Sequence, residues 1–325
     1  MLDLVIRGFL HEPLMHLAAI GVWGEHPATH ASCVMEDPAS GPLPGWRIRV
    51  DPAAAARSLI ARAASIADPA SAWHWPATGP GVTPPLLGPR WVTGRDPDVW
   101  QTDMERRLTA AAALPPVEQA LVDGLGAPVP PEVAFPRRVH ARQERAGLSA
   151  WDTVIPRRGD TLLRGRLLPA ARTVAGLDVD EVVRQLEDPW ALEDPGLPMT
   201  ESERLTDPCI GWADAPAGQC GSPVRAFAAT LAMAQFPVSW RLPNERSQRG
   251  QLPDSRVWLP VPRRPATLEE WSRALDAVAE SCWAVEQLRA EGCWDFPAWT
   301  TRIVEVNPPY LFRRALVDMV PVQAG

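Results

Sequence analysis

An α+β fold, with helices and short strands intermixed and no doubly wound parallel sheet, is what this 325-residue sequence predicts. Three observations point there. Several segments of helical period open on a capping residue or a proline, the signature of helix starts. Others alternate apolar and polar over only four to seven residues, as half-buried strands do. The 37 prolines cluster into long loops, and no regular strand–helix–strand alternation runs through the chain.

A strand over residues 2–8 leads into a helix over 11–24, HEPLMHLAAIGVWG, with Pro13 near its first turn and Leu14, Leu17, Ala18 and Gly21 on one face. WRIRV at 46–50 alternates like a strand. DPAAAARSLIARAAS follows, with Asp51 as N-cap and Pro52 at the first helical position, and predicts a helix to about Ile66. Six prolines and four glycines make residues 76–97 a long loop. Asp96-Pro97 opens a helix through VWQTDMERRLTAAA, and a shorter helix follows at 115–125. Residues 128–136 read as extended linker, 148–155 as a strand, 160–175 as a helix capped by Asp160, and 178–187 as a second helix. After a loop-rich stretch (189–222), Ser222-Pro223 starts the apolar helix VRAFAATLAMAQ, which leaves as the strand FPVSWRL. A polar loop at 243–255 precedes the strand RVWLPVP. Thr267 and Glu270 form a capping box ahead of one long helix to about 292, and a last strand covers 301–306. The expected division is 1–130 and 131–325, each α+β, or one continuous domain.

Composition narrows the function classes. A hydrophobic content of 46% with 22% charged residues is that of a globular chain. No apolar run approaches the roughly 20 residues of a membrane span. The start, MLDLVIRGFLHEP, has no basic stretch ahead of its apolar residues, so no secretory signal is expected and the expected location is cytoplasmic. Five cysteines without a CxxC predict no disulfide framework and no zinc site. Cys282 and Cys293 stand eleven apart, three helical turns, a spacing that core packing explains. Most of the 15 tryptophans are expected in the core.

Familiar catalytic patterns are missing. HEPLMH places two histidines at i and i+5, about 140° apart on a helix, where a zinc-protease helix needs i and i+4. There is no lysine, hence no phosphate-binding GxxxxGK[ST], and GxGxxG and GxSxG are absent too. No catalytic residue, cofactor or metal is expected.

Charge is the informative feature. The chain carries −7 overall, yet residues 137–172 hold nine arginines against Glu144, Asp152 and Asp160. That is +6 in 36 residues, leaving −13 on the other 289. PRRGD at 156–160 places Arg157 and Arg158 ahead of a helix start, where backbone N–H groups already favour phosphate. Arg164 and Arg166 follow in that helix's first turns. Arg137, Arg138, Arg142 and Trp151 form a second tier, Trp151 as a ring on which a base can stack. The other reading is that these arginines bridge acidic surface, of this chain or of a partner protein. The loops at 76–97 and 243–255 are further candidates for contact.

Several of these residues occur in a known order. HLAAIG at 16–21, GPRW at 88–91, then Ser149, Trp151, Asp152, Arg158, Gly159 and Asp160 in the pattern S-x-W-[DE]-x5-R-G-[DE], and finally AQFPV at 234–238 resemble the short large-subunit family of the type I-G (formerly I-U) CRISPR surveillance complex. Members of that family carry more charge where this chain has Ala150, Val154 and Pro156. The resemblance implies a non-catalytic subunit of a Cascade-type complex serving antiviral defence. Its partners would be crRNA, target DNA, the backbone and handle-binding subunits, and a helicase-nuclease recruited in trans. Its role would be recognition of the motif flanking the target (the PAM) and stabilisation of the R-loop. Two alternatives stand beside it: a protein-interaction scaffold docking an acidic partner, and an enzyme whose site is assembled only by folding.

Overall fold

In a computed structural model the chain is described over residues 3–8, 13–34, 44–75, 86, 97–125, 163–188, 222–236, 255–280, 282–307 and 311–319. The first sheet contains β1 (Leu4–Arg7), β2 (His30–Val34), β3 (Gly45–Ile48) and a short later strand, β6 (Ala266–Thr267). Its order is β1-β3-β2-β6, antiparallel throughout, with Leu4 and Ala31 flanking Ile48 and His30 opposite Thr267. Leu4, Ile6, Ala31, Cys33, Trp46 and Ile48 are buried, the alternation of a sheet with one face on a core.

The helices are α1 (Pro13–Gly24), α2 (Pro52–Ala67), α3 (Pro97–Ala112), α4 (Pro116–Gly124), α5 (Leu163–Ala175), α6 (Val179–Glu187), α7 (Pro223–Gln235), α8 (Leu268–Glu280) and α9 (Cys282–Ala290). Local signals do their expected work at the helix starts. Asp51 accepts a hydrogen bond from the Ala54 N–H at 2.9 Å, and Ser222 accepts one from the Arg225 N–H at 3.1 Å. The capping box closes reciprocally, Glu270 accepting from the Thr267 N–H at 2.7 Å while Thr267 accepts from the Glu270 N–H at 3.2 Å. The remaining strands are β4 (Ser255–Trp258), β5 (Val261–Pro262), β7 (Trp294–Asp295), β8 (Ala298–Asn307) and β9 (Leu311–Met319). They form a β4-β8-β9 sheet and a β5-β7 ribbon. The architecture is α+β, and among the described residues there is no doubly wound parallel sheet.

α1 departs from the amphipathic helix expected of it. Every residue from Met15 to Trp23 is buried, while Leu14 is only half-buried, because the helix lies between α7 and the first sheet. Trp46 donates its indole N–H to His16 Nδ1 at 3.0 Å, tying sheet to helix within the core. That bond accounts for His16, whereas His11 lies outside the described residues. Trp23, Trp46, Trp73 and Trp271 are fully buried, as expected of most tryptophans here; Trp75 is exposed. One core runs from Leu4 to Phe296, and the α1–α7 and β2–β6 contacts join elements on both sides of residue 130.

α1 and α7 cross at Gly21, where a Cβ would overlap the backbone carbonyl of Ala228. Gly21→Ala gains about 1 kcal/mol of helix propensity. Against this stands an overpacking cost of about 3 kcal/mol, since a backbone carbonyl, unlike a flexible side chain, cannot rotate away. A net loss of about 2 kcal/mol in urea unfolding is the expected result.

Cys33, on β2, is buried. Burial, reinforced by the negative charge of Asp295, pushes its thiol from the usual 9.0 up to about 12. Cys33 should therefore resist a thiol reagent at neutral pH until the chain unfolds, while the half-exposed Cys293 reacts. Because the folded state keeps the proton that the unfolded thiol loses, stability should decline as pH rises from about 9 towards 12. Mass spectrometry after alkylation, with and without urea, checks the first point.

Four strands have no counterpart in the sequence reading: β2, the two-residue β6 and β7, and β9 beyond the expected last strand. The single long helix after Thr267 is described as two, α8 and α9, on either side of residue 281. The expected strand at 148–155 and linker at 128–136 lie outside the described residues, as do the strand expected at 236–242 apart from Phe236, the loop-rich stretch 189–222 apart from Ser222, and the polar loop 243–255 apart from Ser255, which begins β4. So does the loop 76–96 except for Leu86, which is buried. Among the described residues no helix is long and apolar enough to cross a membrane.

Candidate nucleic-acid interface

α5 is the described end of the arginine-rich segment. Its helix runs from Leu163, so the proposed cap Asp160 lies outside the described residues, as do Arg137, Arg138, Arg142, Trp151, Arg157 and Arg158. The structure brings Arg164 and Arg166 onto the first turns of one helix and Arg172 onto its last turn. Leu167, Leu168, Ala171 and Val174 are buried, and Pro169, Arg172 and Thr173 are exposed. Arg172 makes no ion pair among the described residues.

α5 is seated firmly. It packs against α2 and α7, and a tight turn through Gly176 and Leu177 carries the chain into α6. There Asp178 accepts a hydrogen bond from the Glu181 N–H at 2.8 Å as N-cap. α6 is then locked to α7 by buried polar groups. Arg225 donates from Nε to the Gln185 carbonyl at 2.9 Å and from a terminal nitrogen to the Leu186 carbonyl at 2.6 Å, satisfying the last carbonyls of α6. Gln185 Oε1 accepts from the Ser222 hydroxyl at 3.0 Å. Sequence reasoning missed this lock, although an arginine inside the apolar run VRAFAATLAMAQ was a visible signal.

Glu181, on the helix that follows α5, has its own partners. Glu181 accepts from Gln185 at 2.6 Å and from Arg184 at 2.8 and 2.9 Å, which hold its carboxyl below the usual carboxylate range. It is engaged within α6 itself.

Buried charge gathers elsewhere. Arg62 of α2 bonds to Glu25, just after α1, at 3.2 Å and to Glu118 of α4 at 3.1 Å. Gln235 of α7 donates to Glu25 at 3.2 Å, and Ser65 donates to Glu118 at 3.3 Å. The cluster joins four helices, and its polar atoms bond to one another, which is the arrangement of a structural clamp. A separate cleft of about 450 Å³ is lined by Arg264, Glu270, Arg273, Leu288, Cys293 and Trp294, among others. Glu270 there is committed to the capping box, whose hydrogen bonds lower its pKa. Among the described residues no three His, Cys, Asp or Glu side chains gather as metal ligands do.

Of the ordered sequence motifs, GPRW and the S-x-W segment lie outside the described residues, and two are described in part or in full. HLAAIG belongs to α1, AQ and Phe236 end α7, and these two helices pack on each other. Their residue types serve packing: His16, Gly21 and Ala234 are buried. The chain matches no family model, no curated protein and no solved structure.

Proposed function

We propose that this chain is a non-catalytic, nucleic-acid-binding subunit of a type I CRISPR crRNA-guided surveillance complex. The observation that carries the reading is the segregation of +6 into residues 137–172 of a chain that is otherwise −13. Phosphate is the partner whose chemistry suits clustered arginine, which binds it in bidentate fashion. The seating of α5 supports the reading, since it ends the segment on a helix fixed to the core, with Arg172 exposed and making no ion pair among the described residues. The ordered motifs supply the specific complex. In such an assembly base pairing to the guide reads the target, while protein reads a short flanking duplex and the backbone. This subunit's share is contact to the flanking motif, crRNA or displaced strand, with crRNA, target DNA and the backbone and handle-binding subunits as partners. A separate helicase-nuclease performs cleavage.

Affinity purification of the tagged chain from its native cells, with sequencing of co-purified RNA and mass spectrometry of co-purified proteins, tests this directly. Repeat-derived RNA together with several protein partners is the expected result. A clean protein without RNA or partners overturns it. Protein partners without nucleic acid would favour the scaffold reading.

A further inference from the structure

The cleft of about 450 Å³ beside α8 is separate from residues 137–172 and has its own construction. Arg264 and Pro265 form one wall, between β5 and β6. Glu270, Arg273 and Ala274 form the second, a stripe of α8 spaced three and four residues apart. Gly292, at φ +69°, turns the chain out of α9 so that Cys293 and Trp294 form the third. The first and third walls are tied together where the Arg263 N–H donates to the Cys293 carbonyl at 2.9 Å. The floor is apolar, with Ala266, Ala274 and Trp294 buried and Leu288 half-buried. A volume of this size falls in the range of small-molecule sites, about 300–1,000 Å³.

Two guanidiniums and two carboxylates line the rim, and their commitments differ. Glu270 is held by the capping box, accepting from the Thr267 N–H and hydroxyl. Asp295, just outside, is matched by Arg263, which donates to its two oxygens at 2.6 and 2.7 Å. The next residue, Arg264, is exposed and makes no hydrogen bond or ion pair among the described residues. Arg273 holds Glu269 in a pair whose side chains are 69% and 80% exposed, an arrangement that contributes little and exchanges readily. Both guanidiniums can therefore turn to a ligand. Guanidiniums above an apolar floor suit one anionic end on an apolar body. Glu270 and Glu291 on the same rim repel a polyanion, which sets this cleft apart from a phosphate-backbone groove.

We infer that the cleft between β6, α8 and α9 binds a small carboxylate with an aromatic or branched apolar body. The apolar part lies on Trp294, Leu288 and Ala274, and the carboxylate meets Arg264 and Arg273. This goes beyond the nucleic-acid reading and does not depend on it. Cys293 stands half-exposed in the lining, so a bound ligand shields its thiol.

The test alkylates the full-length protein with iodoacetamide, an uncharged reagent, in the presence of N-acetylphenylalanine or its neutral amide. Mass spectrometry follows modification of Cys293 over time. At about nine times its dissociation constant the carboxylate should slow that reaction about tenfold. Without the charge the amide should bind about tenfold more weakly, and at the same concentration slow the reaction about twofold or less. Arg264→Gln/Arg273→Gln should reduce protection by the carboxylate to the level given by the amide. If that variant does not fold, judged by circular dichroism, Arg264→Gln alone should weaken protection in the same direction. No protection by the carboxylate up to its solubility overturns the site. Equal protection by the amide, or full protection in the folded variant, overturns the guanidinium contact on which the ligand class rests. A longer peptide ending in the same residue that protects at a far lower concentration overturns the small ligand in favour of a polypeptide. Residues 137–172 play no part in the readout, so each of these failures leaves the proposed function standing.

Discussion

Arg62→Met is expected to destabilise the fold by about 3–5 kcal/mol, the usual cost of breaking a buried ion pair from one side. The size follows from what is left behind. The side chains of Glu25 and Glu118 are 6% and 11% exposed and both bond to Arg62, itself 17% exposed. Removing the guanidinium leaves two carboxylates out of water, with Gln235 and Ser65 as their remaining partners. Methionine restores most of the packed volume, so the loss measures charge and hydrogen bonding more than cavity formation. The companion variant Arg62→Met/Glu25→Gln/Glu118→Gln should recover a large part of the loss, because neutral amides are far cheaper to bury than unpaired carboxylates. Urea unfolding of both variants decides. A loss below about 1 kcal/mol for Arg62→Met would mean the cluster behaves like a screened surface pair.

That cluster shows where sequence reading stops. Signals confined to a few residues were legible: Asp51-Pro52 before α2, Ser222-Pro223 before α7, and Thr267 with Glu270 before α8 each formed the bonds their chemistry predicts. Each closes within three or four positions, so local physics decides it. Glu25, Arg62, Glu118 and Gln235 span 210 positions, and nothing in their spacing announces a meeting. β2, HASCV, was missed because a five-residue strand held between two neighbours needs no strong alternation of its own. β9 was missed because LFRRALVDM places Arg313 and Arg314 side by side, which blurs the two-residue period. Only pairing with β8 assigns them to opposite faces. α1 was read as amphipathic because apolar spacing cannot reveal a second neighbour covering the other side. The candidate interface was legible as charge alone, since a count of arginines picks out a segment without showing the surface it forms.

Arg157→Glu/Arg158→Glu is expected to weaken nucleic-acid binding about 100-fold or more while leaving assembly with the protein partners intact. Each arginine–phosphate hydrogen bond to a charged group contributes about 1.5–3 kcal/mol, so two lost contacts remove about 3–6 kcal/mol before repulsion by the new carboxylates. Salt dependence separates this from a general change in fold. If five arginines of residues 137–172 meet phosphates, wild type should show a log–log slope of about −3.5 to −4.5, and the variant should be flatter by about 1.4–1.8. Residues 157 and 158 precede α5, whose seat on α2 and α7 is made by Leu167, Leu168, Ala171 and Val174, so thermal unfolding of the variant should match wild type. Anisotropy on target DNA and size-exclusion chromatography of the complex read binding and assembly separately. Retained DNA affinity with lost assembly would assign the arginines to an acidic protein surface, because charge reversal breaks either contact but only one of them competes with DNA. The magnitude also discriminates. Exposed protein–protein ion pairs contribute about 0.2–1 kcal/mol each, too little for a 100-fold effect from two residues, whereas phosphate contacts reach it.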